Sequence, residues 1–250
     1  MWLAIETSSL VSSVAVMKEE HLLGEITMQA GLTHSEQLVP HIDALLTMAQ
    51  VNKRDLKGIV VTKGPGSFTG LRIGMGTAKA MAYALQIPLY GVSTLDGLAH
   101  NIPYTTHQIC TVVDAQKKHV YAALYTYDRS TLVSIEAPFV IEASHLVERL
   151  EAQGKEIIFV GDGIKRIAPL VKAHPLLYMA NPIYQIPKAG SLLVAARSEI
   201  AAGNIESPMD MVPQYIRRSE AEVLWEEKHK DELDNLVEPT VTVVDTVYKL

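Results

Sequence analysis

Apolar residues fall first in short runs, at residues 2–6, 13–17 and 21–29, joined by a Ser-rich turn and by Lys18-Glu-Glu20. Runs of this length bounded by turn residues predict a three-strand meander. The period then changes. Leu38, Ile42, Leu45, Leu46 and Ala49 recur at helical spacing behind Thr33-x-x-Glu36, a capping-box pattern, with Pro40 expected to kink the helix or mark a short first segment. Residues 58–62 read as a buried strand and residues 71–85 as a helix rich in small residues, followed by a strand at 88–92 and a short helix at 93–100. Strand, helix, strand, helix is the order of parallel α/β packing.

The pattern restarts at residue 109. Strands are expected at 109–113, 119–127 and 132–139, a helix at 144–151, a strand at 157–160, and a second strand-to-helix turn at Gly161-Asp-Gly163. A helix over 190–202 ends at Gly203-Asn204. Residues 219–234 read as a charged, exposed helix, broken by Glu238-Pro239, and 241–248 as a terminal strand that would dock on a sheet edge or another subunit. The chain thus divides into a first lobe (1–102), a second lobe (103–218) and an extension (219–250).

The chemistry centres on Gly64-Pro-Gly-Ser-Phe-Thr-Gly-Leu-Arg-Ile-Gly74, at the passage from strand to helix. Backbone N–H groups gather at such a turn, so a phosphate cradle is the first reading to test. Gly70 is followed by Leu71-Arg72, which excludes a Walker A loop, and the spacing of Gly64, Gly66 and Gly70 misses the dinucleotide fingerprint. Gly70, Gly74, Ala78 and Ala82 form one row along the helix. A helical glycine costs roughly 1 kcal/mol relative to alanine, so the row implies close approach of another backbone, from the chain's own sheet or from a partner. Glu6, Thr7, Ser8 and Ser9 form a polar turn that equally suits phosphate binding or ordinary turn hydrogen bonding. His34 and His41 are seven apart, about 10 Å along a helix, too far to share a metal ion without other ligands; they read as solvated or capping histidines.

Composition narrows the class. Asp and Glu exceed Lys and Arg by 28 to 22, a formal charge of −6, which argues against a stand-alone nucleic-acid binder. Cys110 is the single cysteine; it excludes an internal disulfide and reads as a packed core thiol. The first apolar segment contains Glu6 and no basic region precedes it, so no signal peptide is expected; no apolar stretch reaches membrane-spanning length, and a cytoplasmic location follows.

The eleven-residue glycine motif, with Ala4-Ile-Glu-Thr-Ser-Ser9, Thr33-His-Ser-Glu-Gln-Leu-Val-Pro40 and Pro213-Gln-Tyr-Ile-Arg217, resembles the TsaB (YeaZ) family over about residues 1–218. The resemblance implies a two-lobe α/β fold of the actin-like ATPase and sugar-kinase (ASKHA) type with a reduced second lobe. It also implies a non-catalytic subunit that binds and activates a TsaD-type transferase, which places threonylcarbamoyl on adenosine 37 of tRNA. A small TsaE-type ATPase would be a further partner, a homodimer would form in the partner's absence, and tRNA would be met only through the complex.

No catalytic residue, metal or required cofactor is expected of this chain, though a nucleotide at a partner interface stays open. The resemblance places the histidine pair of a TsaD-type metal site at Thr94 and Leu98, neither of which can replace an imidazole. The partner interface is expected at Leu38, Ile42, Leu45, Gly70, Leu71, Gly74, Ala78 and Ala82. Two rival readings remain: an ATPase or kinase of the same superfold, resting on Glu6, Thr7, Ser8, Ser9 and residues 161–163, and a metalloprotease, disfavoured by the missing ligands.

Overall fold

Strand β1 (Trp2–Glu6) is apolar on both faces, and the chain surrounds it accordingly. In the computed structural model, which describes residues 1–29, 34–171 and 174–214, β1 pairs antiparallel with β2 (Ser12–Lys18) and parallel with β4 (Gly58–Gly64). β3 (His21–Met28) and β5 (Leu89–Ser93) complete a sheet of order β3-β2-β1-β4-β5. Strands covered on both faces need continuous apolar sequence, which is why residues 58–62 stand out.

The second half repeats the plan. β6 (Gln108–Asp114), β7 (His119–Asp128), β8 (Thr131–Glu142), β9 (Ile157–Val160) and β10 (Leu177–Met179) give the order β10-β9-β6-β7-β8. Counted within each half, both sheets run third, second, first, fourth, fifth. This duplication is the two-lobe α/β arrangement that the resemblance implied.

Helices cover the sheets. α1 (His34–Met48) and α2 (Phe68–Leu85) lie on one face of the first sheet, where Leu3, Ile5, Ile59 and Val61 meet Leu38, Ile42, Leu45 and Ala78. Burying each large aliphatic side chain contributes about 1.5–3 kcal/mol. α1 runs through Pro40 as one helix rather than stopping there. α3 (Thr94–Ala99) joins the two lobes, while α4 (Ala143–Glu151) and α5 (Ile164–Val171) pack on the second sheet. Cys110 lies fully buried in that second core, and burial pushes its thiol far above the usual range.

The expected second-lobe segment divides. α6 (Ala189–Ala195) packs Ala189, Leu192 and Leu193 against Ala4, Val60 and Val92, so the chain has returned to the other face of the first sheet. α7 (Arg197–Ala202) follows after Ala196, making two short helices where one was expected. Gly203, at φ 69°, ends α7 as its position predicted. Residues 205–214 then run back over the first lobe. Glu206 meets Lys63 at 2.7 Å, Lys79 donates to Met211 O at 3.0 Å, and Gln214 N donates to Lys63 O at 2.7 Å. Thr33, Tyr215, Arg217 and the extension at 219–250 lie outside the described residues.

Candidate functional site

The glycine motif and the β1–β2 turn are built against each other. Thr7 Oγ1 donates to Gly70 O at 2.8 Å, and Ser67 N donates to Ser8 O at 2.6 Å. A Cβ on Gly66 would stand 2.2 Å from Ser8 O, one on Gly70 2.1 Å from Thr7 O, and one on Gly74 2.1 Å from Thr7 Oγ1. No side chain fits at such distances, so all three glycines are required by the chain's own turn. Ser67 caps α2 by accepting from Gly70 N at 3.2 Å. Ser67 N and Gly70 N are therefore engaged inside the chain, which weakens the phosphate-cradle reading.

Glu6 ends β1 with its carboxyl only 2% exposed. Burial pushes its pKa up to about 7, opposed by the hydrogen bond that Oε1 accepts from Ser8 N at 2.6 Å. The Ser8 and Thr62 hydroxyls lie close enough to favour the charged form, yet neither reaches hydrogen-bond geometry with any group of the described residues. Ser9 Oγ accepts from Val11 N at 3.1 Å and is turn chemistry. Of the four polar turn residues, Glu6, Thr7 and Ser8 are buried to 2% or less.

Both α1 histidines serve this turn. His34 Nε2 donates to Ser9 O at 2.7 Å, and His41 Nδ1 lies 3.4 Å from Ser12 Oγ. Neither role was legible in their spacing, because each partner is distant in sequence. Thr94 is 1% exposed and Leu98 fully buried, with Thr94 Oγ1 lacking a partner among the described residues. Among the described residues, no three His, Cys, Asp or Glu side chains come together as a metal-binding group.

The expected interface residues need correction. Leu38, Ile42, Leu45, Leu71, Ala78 and Ala82 are each at most 5% exposed, and Gly70 and Gly74 are buried beside Thr7. That row is the chain's own core seam, so its close backbone approach is internal. The outward row of α2 is Phe68, Arg72, Gly76, Ala80 and Ala84. A Cβ on Gly76 would meet no described residue within 4 Å. On the same helix Phe68 and Tyr83 are 46% and 59% exposed, and on α1 Val39 and Met48 are 59% and 68% exposed. Arg72 covers the Phe68 ring at 3.8 Å.

The second glycine turn is also internal. Gly161 has φ 118° and a Cβ there would lie 2.1 Å from Val112 O, while Gly163 N donates to Val112 O at 3.0 Å. Asp162 Oδ1 accepts from Asp114 N at 3.0 Å. Both glycines thus let β9 and α5 close on β6.

Comparison with known proteins agrees with this geometry. The family model described as "TsaD: tRNA N6-adenosine threonylcarbamoyltransferase" matches residues 21–225. The chain is 29% identical over 230 residues to the tRNA threonylcarbamoyladenosine biosynthesis protein TsaB of Bacillus subtilis, covering 91% of this chain and 99% of the relative. It is 33% identical over 168 residues to the TsaB protein of Buchnera aphidicola subsp. Schizaphis graminum, covering 66% of this chain and 80% of that one. The structure of YeaZ from Pseudomonas aeruginosa superposes with a TM-score of 0.74 at 25% identity, covering 86% of this chain and 98% of that one. With the glycine motif locked on the β1–β2 turn and similarity along most of its length, the chain belongs to the TsaB (YeaZ) family.

Proposed function

We propose that the chain acts in tRNA threonylcarbamoyladenosine biosynthesis as a non-catalytic subunit, binding and activating a TsaD-type transferase through the outward face of α1 and α2. The observation that carries the interface is Gly76. Among the described residues, none lies within 4 Å of a Cβ at Gly76, so none of them offsets the helix-propensity cost of about 1 kcal/mol. Packed against a partner helix, Gly76, Ala80 and Ala84 would let two backbones approach, with Phe68 and Tyr83 as apolar flanks.

A non-catalytic role is supported by the turn chemistry. Thr7 and Ser8 occupy the backbone of the glycine motif, and Thr94 and Leu98 stand where the resemblance places a histidine pair. The same apolar face would serve a homodimer when the partner is absent. In this reading tRNA and a small TsaE-type ATPase are met through the complex, in the cytoplasm, and the subunit itself requires no cofactor.

The test is reconstitution with the TsaD-type protein of the same cell. Threonylcarbamoyl transfer to adenosine 37 should need both chains and be absent with this chain alone. Gly76→Leu should abolish association and transfer while leaving the isolated subunit folded. Transfer by the isolated chain would overturn the non-catalytic assignment, and undiminished association of Gly76→Leu would overturn the interface.

A further inference from the structure

A half-open cleft of about 520 Å³ lies where the end of α3, the β7–β8 turn and the α6–α7 joint meet. None of its lining residues belongs to the glycine motif or to the α1–α2 face. The volume falls in the range of small-molecule sites, and the walls differ in chemistry.

One wall is aromatic. Tyr104 is 74% exposed, and its ring lies 5.2 Å from the Tyr127 ring. Tyr127 is held by its hydroxyl, which donates to Ile102 O at 2.9 Å. A large exposed ring backed by a second, anchored ring presents a stacking face at little conformational cost.

A second wall carries an acceptor. His100 Nδ1 lies 2.9 Å from Asp96 O, and a carbonyl can only accept, so the proton sits on Nδ1 and Nε2 carries the lone pair. Burial holds the imidazole below its usual pKa, with Arg197 acting in the same direction against the pull of Asp96. Asp96 is itself fixed by the Tyr125 hydroxyl, which donates to Oδ1 at 2.6 Å.

The cation is Arg197, whose guanidinium pairs with Glu20. Both partners are well exposed, at 47% and 71%. Such a surface pair is weak, so a ligand phosphate can compete for the planar fork. Ser198 and Thr131 add hydroxyls to the lining.

We infer that this cleft binds a nucleoside monophosphate, with the base stacked on Tyr104, an N–H or O–H of the ligand donating to His100, and the phosphate on Arg197. Among the described residues, Arg197 is the one Lys or Arg in the lining, which matches a single phosphate rather than a polyphosphate chain.

The inference is tested by calorimetric titration of the full chain with AMP, without any partner protein. AMP should bind saturably, with adenosine and ribose 5-phosphate each at least tenfold weaker. Tyr104→Ala and Arg197→Met should each weaken AMP at least tenfold. Because the Tyr104 ring is exposed, its truncation should leave the melting temperature unchanged. No saturable AMP binding at millimolar concentration, parental affinity in either variant, or ATP binding tenfold tighter than AMP would overturn it.

Discussion

Gly74 and Gly76 are two residues apart and have opposite environments. A Cβ at Gly74 would stand 2.1 Å from Thr7 Oγ1, whereas one at Gly76 meets none of the described residues within 4 Å. Gly74→Ala should therefore destabilise the subunit by about 3 kcal/mol through overpacking in urea denaturation; a change below about 0.5 kcal/mol would contradict the packing described. At Glu6 the argument concerns pH. Its folded-state pKa, about 7, lies above the reference value of 4.5. The folded protein thus holds the proton more tightly, and this contribution is fully present below pH 4.5 and is lost as pH rises through about 7. Glu6→Gln should remove a decline of about 3 kcal/mol between those limits. The check is a pair of pH–stability curves, and parallel curves would refute the buried-carboxyl account.

Among elements, the β6–β7 turn is tied to α5 by one carboxylate. Asp114 accepts from Arg166 Nε and Nη2 at 3.1 and 3.2 Å and meets Lys165 Nζ at 2.7 Å. Burial alone would raise its pKa, but these two cations outweigh it and hold the carboxyl below the usual range. Its contribution is present above the ordinary carboxylate pKa and is lost as pH falls through the lower, folded value. Asp114→Asn should cost about 1–2 kcal/mol at neutral pH, reduced by partial solvent screening, and little in strong acid.

Element positions were largely legible, because residues 2–6, 58–62 and 157–160 are apolar runs of strand length between turn residues. The inward face of α2 was not. Both rows, Gly70-Gly74-Ala78-Ala82 and Gly76-Ala80-Ala84, are small, and side-chain size cannot choose between them. What decides is Thr7, whose carbonyl and hydroxyl occupy the space above Gly70 and Gly74. The return of residues 189–214 to the first lobe was hidden for a similar reason. It rests on long-range pairs, such as Lys63 with Glu206 and Ser13 Oγ with Ala189 N, that leave no local pattern.

For the whole molecule, the proposed function gives the first lobe two surfaces with separate work. Its glycine motif is closed internally by the β1–β2 turn, and on its outward α1–α2 face no described residue lies within 4 Å of a Cβ at Gly76, while Phe68 and Tyr83 stand exposed. The most direct measurement is therefore paired: melting of the isolated Gly76→Ala subunit and its affinity for the TsaD-type partner. The account predicts a subunit more stable by about 1 kcal/mol, from helix propensity, together with weaker association. A more stable subunit that binds as tightly as the parent would contradict the assignment of this face as the partner surface.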